Sequence, residues 1–433
     1  MISKTLNKVS IKRHGSLFLF LLILIFLFAC QDKTDDNSND NSLQFDKPQS
    51  VIKNMMRGIN IGNTLEPPTV GEWNNGFIKE HYFDDYKEAG FSTIRIPIRW
   101  DKHTSNIAPY SIDNSWLDLV EMVVDWGLER DLYIIINSHH DWWLVDGYSD
   151  REVQKRFENI WRQVSERFEN KSPRLFFEII NEPHGLTQEN INELNEKILS
   201  IIRVKNPKRI VIYSGHEWSN STHLLSAKIP DDDYIMGYFH AYDPWEFSGK
   251  GNGVWGSEND INAIKSKFES VAKWSTNNNI PVMISEFGAV HDCGYNSRML
   301  HYSTYVDQAI LHGIAFQAWD DGGQFGIYER TARTWPEVKD ILIHTYPEGP
   351  TMLKARLQTD SSVRLTWQNR TISNERIIIE RKTANSAFLP ITEVDVNTAE
   401  YVDKDIEGLM PIYRVIADFS SDPDMYSNPA RIK

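Results

Sequence analysis

The chain has 433 residues, with 46 Lys and Arg against 60 Asp and Glu, and a formal charge of −14. So acidic a chain is a poor match for nucleic acid or an anionic membrane surface and suits a neutral ligand. Its two cysteines, Cys30 and Cys293, offer no disulfide framework, so stability has to come from a large core, for which the length is ample.

The first 29 residues read as an export signal. Lys4, Lys8, Lys12 and Arg13 form a basic start, and Leu17 to Phe28 is an apolar run too short for a comfortable membrane span. It ends in Leu27-Phe28-Ala29-Cys30, a lipobox-like sequence that predicts cleavage before Cys30 and lipidation of its thiol. The expected location is therefore the bacterial outer membrane, with the protein facing the cell surface or the periplasm on a lipid anchor. Residues 30–45 begin with a run of Asp, Asn and Ser and predict a disordered tether.

Residues 46–346 alternate short apolar runs with amphipathic segments. The runs are Gly58–Ile61, Thr93–Ile98, Leu132–Ile136, Leu175–Ile180, Ile210–Tyr213, Tyr234–Phe239, Val282–Glu286 and Ile314–Trp319. Continuous apolar runs suit parallel strands buried on both faces. Between them Asn114–Arg130, Arg151–Asn170 and Asp260–Asn278 carry helical periodicity; in the second, Val153, Phe157, Ile160, Trp161, Val164 and Phe168 step by three and four. Eight such units predict an α/β fold, a (β/α)8 TIM barrel. A doubly wound open sheet is the competing fold, and the lack of Gly-x-Gly-x-x-Gly after the first run disfavours its dinucleotide-binding version.

Tyr346-Pro347-Glu348-Gly349-Pro350 reads as a linker. Residues 351–433 then alternate apolar and polar positions, as in Val363-Arg364-Leu365-Thr366-Trp367, and predict a small all-β sandwich. Trp367 and Tyr413-Arg414-Val415 give it a resemblance to a fibronectin type III domain.

In a β/α barrel the C-terminal ends of the strands carry the chemistry. Two of these ends bear a glutamate: Asn181-Glu182-Pro183 after the fourth run and Glu286-Phe287-Gly288 on the seventh. A carboxylate is costly inside a buried strand but useful at its mouth. Two facing each other are the equipment for cleaving a glycosidic bond. The other ends supply Asn63 and Glu66, Arg95, His139 and His140, Trp218, His240, Tyr242 and Trp245, and Trp319. Arg95 and Tyr242 suit a role of keeping Glu286 ionised. Aromatic faces suit the apolar face of a pyranose. Trp161 and Trp274 sit on helical patterns and are expected in the core. The adjacent His139 and His140 do not read as a zinc pair, and no metal or organic cofactor is expected.

The ordered set Arg57 to Asn63, Ala89 to Trp100, Leu175 to Gly185, Tyr242 to Phe247 and Val254 to Ser257 resembles glycoside hydrolase family 5, in its thermophile-typified cellulase and mannanase branch. The likeness spans about residues 51–346. It implies Glu286 as nucleophile, Glu182 as acid and then base, and His240 beside the pair. It further implies Asn181 on the sugar 2-hydroxyl, His139 and His140 on nearby hydroxyls, and Trp319 under the sugar being cleaved. Trp218, Trp245 and Trp255 would extend the platform. Asp320, where relatives often carry Glu, and the Trp-rich loop 141–150 are expected to line subsites. The implied activity is retaining endo-β-1,4-glucanase, with β-mannan as the alternative substrate and a monomer expected. A non-catalytic glycan-binding lipoprotein is the reading from another class.

Overall fold

The computed structural model describes residues 43–370, 376–383, 386–406, 410–419 and 423–432. The export signal, Cys30 and most of the tether lie outside the described residues. Among the described residues no helix is long and apolar enough to cross a membrane.

Eight parallel strands close a barrel in sequence order: β1 Arg57–Asn60, β2 Thr93–Ile96, β3 Tyr133–Asn137, β4 Leu175–Glu178, β5 Val211–Tyr213, β6 Ile235–His240, β7 Val282–Phe287 and β8 Ala315–Ala318, with β8 pairing back onto β1. Helices such as Asn114–Leu128, Arg151–Arg167 and Glu258–Asn278 fill the outer ring. The open-sheet alternative is excluded by the closure.

The two-residue period of a strand sorts the side chains. Ile94, Ile96, Ile134, Ile136, Phe177, Phe239 and Ile284 point outward into the main core beneath the helices. Tyr133, Ile135, Phe176, Ile212, Met236, Tyr238 and Met283 point inward and fill the lower barrel, joined by Val51, Ile52 and Met55 from the segment that precedes β1. One step further along six of the strands the inward positions become polar: Asn60, Arg95, Asn137, Glu178, His240 and Ser285, all buried. The barrel thus has an apolar floor and a charged mouth.

Strand β7 breaks the period. Phe239 of β6 pairs with Ile284, but the next residue, His240, pairs with Glu286. On the other side Ile284 pairs with Phe316 and Phe287 with Ala318. One extra residue therefore sits in β7 around Ser285, and such a bulge re-aims a neighbouring side chain. Here it lets Ser285 and Glu286 both reach the interior.

Strands β9 Thr351–Leu357, β10 Val363–Gln368 and β13 Glu400–Asp403 form one antiparallel sheet in the order β13-β10-β9. Strands β11 Arg376–Lys382, β12 Leu389–Val394, β14 Ile412–Asp418 and β15 Met425–Tyr426 form a second, with β16 Ala430–Arg431 also on β14. Val363, Leu365 and Trp367 alternate into the core between the sheets, where Tyr413 and Val415 meet them. Ion pairs Arg370–Asp307 (2.7 Å) and Arg414–Asp340 (2.6 Å) fasten this region to the helices Tyr295–Leu311 and Val338–His344 of the barrel.

Candidate active site

The site is built around Arg95, which is fully buried beneath the mouth. Its five N–H groups are all directed. Nε and Nη2 reach the two oxygens of Glu178 at 2.8 and 2.6 Å, Nη2 also reaches Asn181 Oδ1 at 2.7 Å, and Nη1 reaches Asn60 Oδ1 at 2.9 Å and Glu286 Oε1 at 2.7 Å. A buried guanidinium is tolerable only when paired in this way. Burial opposes its charge, yet Glu178 and Glu286 keep its proton firmly bound.

Glu286 receives a second donor, the Tyr242 hydroxyl, on Oε2 at 2.9 Å. Burial holds the Tyr242 phenol well above its ordinary range, so it stays a donor at neutral pH. Glu182 lies across from Glu286, and His240 joins them: its Nδ1 is 2.8 Å from Glu182 Oε1 and 3.7 Å from Glu286 Oε2. One donor atom each from Glu182, His240 and Glu286 lies within 4.8 Å of the others. Two carboxyls that approach this closely at one rim suit direct attack by one of them on a sugar between them.

Burial pushes the Glu182 carboxyl up to about 7, with Arg95 opposing. Burial also raises Glu286, opposed by the Arg95 charge and reinforced by the charge of Glu182 when that is ionised. The two titrate as a pair. Glu286 has the direct cation and the phenol, so the shared proton rests on Glu182. Burial drives His240 down to about 4, which leaves it neutral. The three could only hold a cation against Arg95, whose charge already touches Glu286, and the carboxylates' hydrogen bonds to Arg95, Tyr242 and His240 would have to be given up.

Above this layer lies a cleft of about 660 Å³ lined by His139, His140, Asn181, Glu182, Trp218, His240, Tyr242, Trp245, Glu286 and Trp319. Asn181 has its oxygen held by Arg95, so its amide NH2 is the group available to the cleft. Asn137 fixes His139 in a similar way. Its Oδ1 accepts from the Ile98 N–H at 3.1 Å and its NH2 donates to Glu178 at 3.1 Å, so the same NH2 faces His139 Nδ1 at 3.2 Å. Nδ1 must accept, which leaves Nε2–H as the donor of this neutral ring. Trp319 lies parallel to His139, and Gly62 makes room for it: a Cβ there would stand 3.0 Å from the Trp319 ring.

Four expectations change. Trp255 is buried against Phe247 and His301 and does not line the cleft, because its ring turns inward behind the loop after β6. Asn63 and Glu66 brace the turn after β1: the Glu66 carboxyl is fully buried and accepts the Asn63 and Thr64 N–H groups, and Asn63 Nδ2 donates to Asn74. Asp320 is likewise fully buried and caps the N–H groups of Gly322, Ile327 and Tyr328. In loop 141–150, Asp141, Trp142 and Val145 reach the cleft, whereas Trp143 packs under Arg156. Trp161 is in the core as expected, and Trp274 packs against it.

Sequence reasoning assigned no role to Glu178, Asn60, Asn137, Ser285 or His184. Glu178 had a readable signal, since it stands two residues after the inward Phe176. His184 is stacked on Trp218 at 4.0 Å with Trp142 edge-on at 4.3 Å, forming one wall of the cleft.

The family model for cellulase (glycosyl hydrolase family 5) matches residues 51–322. The chain is 45% identical over 310 residues to Endoglucanase H of Acetivibrio thermocellus, covering 69% of this chain and 34% of that protein. It thus spans about a third of that relative's length. A tri-modular GH5 subfamily 4 endo-β-1,4-glucanase from Bacillus licheniformis, one of whose structures is complexed with cellotetraose, is 32% identical with a TM-score of 0.77, over 89% of this chain and 79% of that one. Cel5A of Thermotoga maritima, solved with mannotriose, is 34% identical with a TM-score of 0.66, over 68% and 99%.

Proposed function

The chain belongs to the cellulase family, glycosyl hydrolase family 5, and on that premise we propose that it hydrolyses internal β-1,4 linkages of a β-glucan with retention at the anomeric carbon. The observation that carries the reading is that Glu182 and Glu286 face one cleft with an oxygen of each within 4.8 Å of the other, while Arg95 and Tyr242 hold Glu286 as the ionised partner. Carboxyls about 5–5.5 Å apart allow one to bond the sugar directly, whereas inverting pairs stand about 6.5–9.5 Å apart.

In the first half-reaction the Glu286 carboxylate attacks the anomeric carbon while Glu182 gives its proton to the departing glycosidic oxygen. The C–O bond breaks and a glycosyl ester on Glu286 forms. The Asn181 NH2 binds the 2-hydroxyl, His139 and His140 bind neighbouring hydroxyls, and Trp319 stacks under the ring. Esterification removes the charge of Glu286, so the Glu182 carboxyl becomes more acidic and now serves as base. It takes a proton from water, the water oxygen bonds the anomeric carbon, and Glu286 leaves as a carboxylate. Trp218 and Trp245, both about half exposed at the cleft, extend the platform for further sugars.

The names of the relatives favour β-glucan, and mannotriose bound to the Thermotoga protein makes mannan the control. Reducing-end release and viscosity loss on cellulose-type glucan, mixed-linkage glucan, glucomannan and galactomannan test the proposal. Rapid viscosity loss on glucans supports it; cleavage of mannan alone, or of none, overturns it. The lipid-anchored location is part of the same proposal and rests on Leu27 to Cys30. Membrane fractionation of Cys30→Ala tests it, with release into the soluble fraction expected and retention contradictory.

A further inference from the structure

We propose that Ser285 is a positioning residue that fixes the tautomer of His240 and thereby aims the proton of Glu182 into the cleft. This deepens the acid–base role given to Glu182 above and rests on it.

Ser285 is the bulge residue of β7 and is fully buried. Its Oγ stands 3.0 Å from His240 Nε2, and among the described residues that nitrogen is its partner. The other ring nitrogen, Nδ1, faces Glu182 Oε1 at 2.8 Å. Tyr238 packs beside the ring, and Glu286, Arg95 and Glu178 supply the remaining charges around it. A neutral imidazole carries one N–H. With the proton on Nδ1, Glu182 Oε1 is occupied as an acceptor in both of its protonation states, and the acid proton is left on the other oxygen. With the proton on Nε2, the bare Nδ1 would draw the Glu182 proton onto Oε1 and away from substrate. It would also face the carboxylate lone pairs once Glu182 ionised. The Ser285 O–H is buried with Nε2 as its partner among the described residues, so it is satisfied by donating to a bare Nε2 and would be left without an acceptor beside an Nε2–H; that selects the first arrangement. A straight β7 without the extra residue would not bring both Oγ and Glu286 to the interior.

The test uses the whole protein. Nitrogen-15 spectra of labelled histidine near neutral pH, with His240 assigned through a His240→Asn variant, should show the Nδ1–H tautomer in the wild type. The Nε2–H tautomer there would overturn the proposal, with no mutant of Ser285 required. Ser285→Ala should lower kcat/KM for phenyl β-cellobioside, whose leaving group needs protonation, by about 10-fold. The same variant should stay within about 2-fold of wild type on 2,4-dinitrophenyl β-cellobioside, whose leaving group departs unaided. Equal losses on both substrates would mark a merely structural role and refute the inference. Failure of the wild type on every glucan would sink the proposed function yet leave the tautomer result standing. Glucan cleavage by an Nε2–H enzyme would sink this inference alone.

Discussion

Replacing Glu178 with Gln removes one charge from the middle of the site without changing its shape. Glu178 accepts three N–H groups: Arg95 Nε, Arg95 Nη2 and Asn137 Nδ2. Glutamine has one acceptor oxygen, and its NH2 would confront a guanidinium N–H. Both Arg95 and Glu178 are fully buried, so water cannot substitute. Removing one partner of such a pair costs about 3–5 kcal/mol. For a folded body of this size that lowers Tm by about 4–6 °C. Glu121→Gln is the control; its contacts with Arg167 and Lys171 are partly solvated, and a shift within about 1 °C is expected. The variant should also change the pH profile. The charge of Glu178 raises the Glu182 carboxyl and Arg95 lowers it. With Glu178 neutral, Arg95 acts unopposed, and the alkaline limb of kcat/KM should move to lower pH. Differential scanning fluorimetry and a pH series on soluble glucan read both effects. A melt within 1 °C of wild type (about a quarter of the expected loss) with an unmoved limb would refute the claim that the Arg95–Glu178 pair organises the site.

Glu182→Gln should lower turnover by about 10²–10⁴-fold. Because burial raises the folded-state carboxyl to about 7, its stabilising protonation is fully present below the unfolded value of 4.5 and is lost as pH rises through 7. The Tm of this variant relative to wild type should therefore be higher at pH 8 than at pH 4, and the opposite order would contradict the assigned shift. Trp218→Ala should raise KM for cello-oligosaccharides by up to about 10-fold with little change in Tm. Trp255→Ala should cost about 3–5 kcal/mol of stability and leave KM unchanged, and an exchange of these two phenotypes would reverse their placement.

The barrel was legible because parallel strands covered on both faces leave continuous apolar runs such as Leu132–Ile136 and Tyr234–Phe239. Glu182 and Glu286 stood out because a glutamate where an apolar run closes has no packing reason to be there. Glu178 was hidden for the converse reason: it sits within its run, and its partner Arg95 is 83 residues away. The bulge at Ser285 depends on what β6 and β8 offer opposite it, which no local pattern records. Trp255, Glu66 and Asp320 belong to rim loops, where sequence position does not fix the direction of a side chain. The first turned into the core, and the other two turned onto backbone N–H groups.

The claim on which the rest depends is a covalent bond between Glu286 and the sugar. Incubation with 2,4-dinitrophenyl 2-deoxy-2-fluoro-β-cellobioside, followed by peptic digestion and mass spectrometry, reads it directly. The account predicts a single fluoroglycosyl ester on the peptide containing Glu286, released slowly with return of activity. A label on another residue, or an active enzyme that never becomes labelled and yields the inverted anomer, would contradict it.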